Sequence, residues 1–457
     1  MSPARRLTRL AIARRSRHVW FSRSLWNRRF VFLFGSIAVG LAAVGFAVAA
    51  TWANGVLARM LHSWPYATFV LAPAGLALCS YVSGRFFRGA EGSGIPQSIA
   101  ALNYPDEGLR ARLLSIRVAV GKIALTLVGL LSGASIGREG PTVQIGASIM
   151  YSLSRFTSFP HETMKRGLIL AGGAAGVAAA FNAPLAGVVF AIEEMSRSFS
   201  QRTSGIVITG VIAAGIVSLS LLGNYAYFGH TSATLDLADA SRVVIVCGIF
   251  GGLAGGAFAR MLLAAAAGHF HGPLAALKRT RPVTFAALCG LALAVLGLAS
   301  DNTIYGTGYA ETSRILQHGP AIPQSFGILK LAATVVSYAS GIPGGIFSPS
   351  LAVGAGLGQN VAWLLPGTSV AAVAVIGMAS YFAGVVQAPI TAFVIVIEMT
   401  RDSDMALPIM AASLIAHGFS RLVCPRPVYK ALAKGFRPGR PAAAIEAAAG
   451  SGDKPSG

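Results

Sequence analysis

Charge is what this chain has least of. Only 12% of its 457 residues are Asp, Glu, Lys or Arg, about half of the ~25% usual in soluble domains. A water-facing surface for this length needs many more charged side chains, so a soluble globular enzyme is excluded. Acids are scarcest: 16 carboxylates stand against 37 Lys and Arg, and none precedes Glu91. Cysteine is equally sparse, at 79, 247, 289 and 424, without CxxC spacing. That excludes a disulfide framework and a cysteine metal site, and the thiols read as small apolar residues. Eight histidines give one close pair, His269 and His271, beside Gly272-Pro273, which reads as a loop. There is no metal cluster, no cofactor motif, no phosphate loop and no nucleophile with a base. Enzymatic chemistry finds no support.

Apolar residues are what is there. They make up 54% of the chain, mean hydropathy is +0.64, and glycine reaches 54 residues. Gly-rich and apolar together read as packed transmembrane helices, in which small residues let backbones approach. The class is an all-α polytopic membrane protein. The net charge of +21 sits mostly at the ends. Residues 1–30 hold nine Arg and no acid, and residues 421–440 hold Arg421, Arg426, Lys430, Lys434, Arg437 and Arg440. Lys and Arg beside membrane spans stay on the cytoplasmic side. Nucleic-acid binding is therefore rejected, and both termini are placed in the cytoplasm, which requires an even number of crossings. Residues 1–30 read as a basic amphipathic segment on the inner membrane surface. Residues 438–457 form a tail too short and polar for a domain.

Many of the apolar stretches are too short for a simple span of ~20 residues, and 369–400 is too long. Gly and Pro interrupt them, as in transporters whose unwound backbone lines a site at the bilayer midplane. An internal repeat accompanies the breaks. Ser132-Gly133 through Gly137 and Pro141 matches Ser340-Gly341 through Gly345 and Pro349 at a spacing of 208 residues. Ala183-Pro184-Leu185 and Ile192-Glu193 match Ala388-Pro389-Ile390 and Ile397-Glu398 at a spacing of 205. Two membrane halves are expected, 31–223 and 241–423, joined by a linker at 224–240. Whether they are parallel or inverted is open from the repeat itself.

Three strings share G-x-x-x-P spacing: Gly92-Ser93-Gly94-Ile95-Pro96, Gly137-Arg138-Glu139-Gly140-Pro141 and Gly345-Ile346-Phe347-Ser348-Pro349. A fourth, Gly319 to Pro323, has no evident role. The spacing alone is weak evidence, but the physics is stronger. Pro suits the first turn of a helix, so each string reads as a loop feeding a helix N-terminus. Such ends expose unpaired N–H groups and about half a positive charge. Converging, they bind an anion without a full cation, and so release it again. Three ordinary helix starts in a Gly-rich bundle is the other reading.

Glu139, between two glycines at a helix mouth, is costly if it faces lipid. Its carboxylate can occupy such an anion site, and protonation frees the site; pairing with Arg138 in a loop is the alternative. Glu193 and Glu194 lie near the C-terminal end of an apolar helix, where the dipole disfavours negative charge. Either they titrate near neutrality, or both are solvated at a helix end. Glu398 reads as an interfacial loop residue.

Taken in order, these three strings, together with Phe181-Asn182-Ala183-Pro184-Leu185-Ala186-Gly187, Ile192-Glu193-Glu194-Met195 and Pro427-Val428-Tyr429, resemble the CLC chloride channel and transporter family over about 31–435. The resemblance implies two inverted-topology helical repeats with broken and tilted helices, and a homodimer with one anion pathway per subunit. It implies that Ser93 and Tyr429 hold chloride through their hydroxyls, with the backbone amides of Ile346 and Phe347. Glu139 falls on the external gating glutamate and Glu194 on the internal proton-transfer glutamate of the exchanger branch. Tyr429 falls on a C-terminal cytoplasmic-side helix, 424–437. Ser93 matches chloride-preferring members, whereas nitrate-preferring ones tend to carry Pro there, and fluoride-type members depart from the first string. Gln97 stands where the family often has Glu. The expectation is a proton-coupled chloride exchanger of a bacterial inner membrane, with a passive chloride channel as the alternative.

Overall fold

The computed structural model describes residues 23–156, 162–196, 201–223, 226–229, 235–267, 273–317 and 322–437. Most of the basic N-terminal segment, the His269/His271 pair, Gly319 and the 438–457 tail lie outside the described residues. Among the described residues the protein is helical, with two isolated backbone bridges and no β-strand.

The first half runs α1 (Arg23–Ser63), α2 (Thr68–Phe86), α3 (Ile95–Asn103), α4 (Glu107–Leu113), α5 (Ile116–Leu131), α6 (Glu139–Leu153), α7 (Glu162–Phe181), α8 (Pro184–Phe190) and α9 (Gln201–Leu222). The second runs α10 (Leu237–Ala267), α11 (Pro273–Thr280), α12 (Pro282–Ala299), α13 (Tyr309–Leu316), α14 (Phe326–Ala339), α15 (Phe347–Leu364), α16 (Val370–Val386), α17 (Pro389–Thr400) and α18 (Ala406–Val423). A short α19 (Val428–Ala433) follows. Among the described residues, eight helical segments are long and apolar enough to cross a membrane.

Local chemistry sets the breaks. Asp106 accepts the Leu109 N–H at 2.6 Å to start α4, and Ser115 accepts that of Val118 at 3.3 Å to start α5, both N-cap bonds that satisfy orphan donors. The overlong 369–400 stretch divides where Gln387 turns left-handed at φ 56° and Pro389 opens α17. Asn182 at φ 53° and Pro184 do the same between α7 and α8.

The halves pack alike. α6 lies along α7 as α15 lies along α16, and α1 lies against α9 as α10 lies against α18. Glycine makes this possible. A Cβ on Gly172 would stand 2.3 Å from the Gly146 carbonyl oxygen, and one on Gly377 2.7 Å from that of Gly354. The backbones touch, which is the small-residue packing expected of membrane helices. Across the halves, α2 packs on α12 and α8 on α17. Gly137 and Gly345, equivalent in the repeat, exchange hydrogen bonds in an antiparallel bridge: each N–H donates to the other's carbonyl at 2.7 Å. Equivalent residues paired antiparallel lie on a two-fold axis between the halves, as an inverted repeat requires.

Candidate functional site

Each of the three glycine strings feeds a helix. α3 starts at Ile95 after Gly94, which is left-handed at φ 99°; α6 starts at Glu139 and α15 at Phe347. Their prolines, Pro96, Pro141 and Pro349, all fall in the first turn. The three starts meet. A Cβ on Gly140 would be 2.4 Å from the Ser93 hydroxyl oxygen and 3.3 Å from Gly345 Cα. One on Gly94 would be 3.0 Å from the Gly140 carbonyl oxygen. Only glycine allows this approach.

Glu139 stands at the meeting point and is fully buried. Its Oε1 accepts a hydrogen bond from the Tyr227 hydroxyl at 3.4 Å and lies 3.7 Å from Arg138 Nε. Its Oε2 accepts no hydrogen bond from the protein. That oxygen turns toward the start of α15. A Cβ on Gly137 would be 2.5 Å from it and 3.4 Å from the Ser348 amide nitrogen. The carboxylate thus sits at the positive ends of two helices, where an anion is favoured. Arg138 is held to the side: its Nη1 donates to the Ala47 carbonyl at 2.7 Å, and its guanidinium lies 5.6 Å from the Tyr227 ring centre.

Ser93 and Tyr429 complete the place. Both are buried, and neither hydroxyl has a hydrogen-bond partner among the described residues. The Tyr429 ring is 5.9 Å from that of Phe347, which also meets Phe181, Phe190 and Phe382 at 6.0, 5.9 and 4.8 Å. Ile346 and Phe347 supply the first amides of α15. The structure therefore gathers Ser93, Glu139, Ile346, Phe347 and Tyr429 into one buried pocket of donors. Glu194 is also buried, on a π-helical turn (Ala191–Met195) after α8.

Glu193 and Glu398 differ from the sequence expectation. Glu193 is not simply solvated: its carboxylate accepts the Ile390 and Thr391 N–H groups at 3.2 and 2.6 Å, capping α17. Glu398 is not a loop residue. It lies within α17 and accepts the Leu185 and Ala186 N–H groups at 3.1 and 2.7 Å, capping α8. The two halves cap each other reciprocally. The unpaired amides behind Pro184 and Pro389 supply the reason.

Two lysines escaped the sequence reading. Lys122 on α5 is fully buried and donates to the carbonyls of Ala90, Glu91 and Gly92 at 2.7, 3.3 and 2.7 Å. Lys330 on α14, 208 residues on, holds Ile304, Tyr305 and Gly306 at 2.7, 3.3 and 2.8 Å. Each clamps a G-x-G loop at a helix start: Gly92-Ser93-Gly94 before α3, and Gly306-Thr307-Gly308 before α13. The second loop was missed because its spacing slips to 214 and no Pro follows. The signal available was a lysine inside each apolar run, where an unpaired charge is costly.

An inverted helical repeat with a buried carboxylate at facing helix N-termini defines a broken-helix membrane protein. The profile of the voltage-gated chloride channels matches residues 75–421, and the chain belongs to that family, the CLC channels and transporters. It is an integral membrane protein. It is 32% identical over 399 residues to the H(+)/Cl(-) exchange transporter ClcA of Vibrio cholerae, covering 83% of this chain and 82% of that one. Among solved structures it is similar to a slow cyanobacterial Cl-/H+ antiporter, at 27% identity and TM-score 0.74, covering 88% and 97% of the two chains. A CLC-type fluoride/proton antiporter, 24% identical, shares the fold at TM-score 0.73, with coverage of 88% and 97%.

Lys122→Met removes the cation shared by three buried carbonyls. Stability should fall by about 2–4 kcal/mol, since each carbonyl left unpaired costs about 1–3 kcal/mol with partial relaxation. Thermal unfolding of the detergent-solubilised protein measures it. Unchanged stability would show that the lysine does not hold the loop that presents Ser93.

Proposed function

We propose that this protein is a proton-coupled chloride exchanger, with one anion pathway in each subunit of a homodimer in a bacterial inner membrane and both termini in the cytoplasm. The observation that carries the reading is the Glu139 carboxylate lying buried at the facing starts of α6 and α15. An ionised Glu139 competes with chloride for the same positive helix ends. Protonation removes its charge, so it gains little there and swings away, and chloride takes the place. Chloride is then held by the Ser93 and Tyr429 hydroxyls and the Ile346 and Phe347 amides, which are dipoles and release it again. Glu139 is the external gate. Glu194, buried on the π-helical turn after α8, carries protons to and from the cytoplasm. The exchanger names of the Vibrio cholerae relative and the cyanobacterial neighbour support the coupling. A passive channel of the same fold would move chloride without protons.

Reconstituted vesicles with simultaneous chloride and pH recording test this. Glu139→Gln mimics the protonated gate: chloride should still move, proton transport should vanish and the pH dependence should flatten. Glu194→Gln should also abolish proton transport, yet keep acid-dependent chloride rates, because the outer gate still titrates. Normal proton pumping by either variant refutes its assigned role.

Selectivity is assigned to Ser93. A spherical chloride gains most from its single directed donor, whereas nitrate spreads its charge over three oxygens. Ser93→Pro deletes the hydroxyl and a backbone N–H while keeping a helix-compatible φ. The cost to chloride is about 1.5–3 kcal/mol, one charged hydrogen bond, so preference should move toward nitrate by roughly tenfold or more. Nitrate-to-chloride competition in vesicles measures it. Unchanged selectivity in an active Ser93→Pro protein would acquit the serine.

A further inference from the structure

A cavity of about 830 Å³ leads to the Glu139 end of the site. It follows α1 from Leu61, near that helix's C-terminal end, down to Ala47, a run of roughly 21 Å at 1.5 Å per residue. Ala47 is where Arg138 is anchored, and Arg138 lies 3.7 Å from the Glu139 carboxylate. Tyr227 forms part of the wall and donates to Glu139. Tyr309 packs edge-on against Tyr227, their ring centres 5.2 Å apart. The cavity therefore reaches Arg138 and Tyr227, the two side chains that touch the gate carboxylate. In the orientation proposed above, the C-terminal end of α1 faces outside.

Among the described residues lining this chamber, Arg138 and Glu311 alone carry a formal charge. Arg138 is engaged by Glu139 and Ala47. Glu311, two residues after Tyr309 on α13, makes no ion pair with a described residue. The cations near it are Lys330 on α14 and Arg314 on its own helix, and Lys330 is occupied by three carbonyls. The titratable tyrosines facing the chamber are Tyr227, Tyr305 and Tyr309. Burial raises the Glu311 carboxyl above the usual carboxylate range, with Lys330 and Arg314 opposing. Its protonated fraction is therefore larger, at a given pH, than that of an exposed glutamate.

The repeat shows that the fold does not require a carboxylate here. The equivalent position in the first half, at the same spacing of 214, is Gln97. That neutral amide donates to the Gly89 and Glu91 carbonyls at 3.4 and 2.5 Å. Gln97 closes a loop, whereas Glu311 lines the cavity wall.

We propose that Glu311 is a second proton-binding group of the outer chamber, which takes protons from the external solution and sets the external pH at which Glu139 titrates. This rests on the reading of Glu139 as a protonatable gate. Ionised Glu311 favours a proton on Glu139, and protonated Glu311 does not. Glu311 acts through Glu139 and is a positioning residue for its proton.

The test is the external-pH profile of chloride flux in oriented vesicles at fixed internal pH. Removing a negative neighbour lowers the pH needed to protonate Glu139. The profile of Glu311→Gln should therefore shift to lower pH by about 0.5–1 unit, the order expected of one partly screened charge. Glu311→Asp should keep the parental profile, and the internal-pH profile should not move. In a Glu139→Gln background, adding Glu311→Gln should change nothing. A folded, active Glu311→Gln protein whose external profile overlays the parent overturns the proposal. If Glu311→Gln does not fold, Ala310→Cys, on the exposed chamber wall, takes its place. A cationic thiol label there should shift the profile to lower pH and an anionic label to higher pH; no shift with either overturns the proposal. The parent separates the two readings. Chloride flux without proton flux in the parent defeats the gate reading, whereas coupled flux with a silent Glu311 defeats only this inference.

Discussion

Everything in this molecule hangs on two glycines that exchange hydrogen bonds, Gly137 and Gly345. Each donates and accepts at 2.7 Å, and each precedes a helix start by two residues, α6 at Glu139 and α15 at Phe347. The bridge brings two positive helix ends toward each other. Left alone, that arrangement is electrostatically unfavourable, since both ends carry about half a positive charge. It is stable when negative charge lies between them. The Glu139 carboxylate supplies it. The proposed competition between this tethered anion and a free one rests on the geometry of the bridge.

Holding helix starts at mid-membrane leaves backbone groups to satisfy, and the protein does this twice over, once in each half. Lys122 and Lys330 each gather three carbonyls of a G-x-G loop. Glu193 and Glu398 each close the open amides of the other half's helix. Such charges are tolerated in hydrocarbon only when fully engaged. These four residues consequently read as architecture, and they account for much of the small charge complement that the chain retains within the membrane.

Chemistry enters where the two halves stop matching. The repeat partner of Glu139 is Phe347, that of Ser93 is Thr307, and that of Gln97 is Glu311. On the symmetric frame these exchanges place one carboxylate among the donors, an aromatic cluster around Phe347, and a second carboxylate on the chamber wall. A perfectly symmetric protein would have two equivalent half-sites. The departures from symmetry make the two half-sites different.

The class, the two halves and the three helix starts were legible in the sequence, because each rests on local rules: hydrophobic runs, glycine freedom and the preference of Pro for a first turn. Glu139 stood out since a carboxylate between glycines has few inexpensive places in a bilayer. Only the tertiary structure decided that the repeat is inverted, because antiparallel pairing of Gly137 with Gly345 joins residues 208 apart. Glu193 and Glu398 likewise look alike in sequence as acidic residues near helix ends. Their roles as mutual caps depend on amides about 200 residues away. The loop before α13 was hidden by a six-residue slip in spacing and became visible only through Lys330. Local chemistry fixes where a chain breaks, whereas the partner each break finds is set by packing between distant segments.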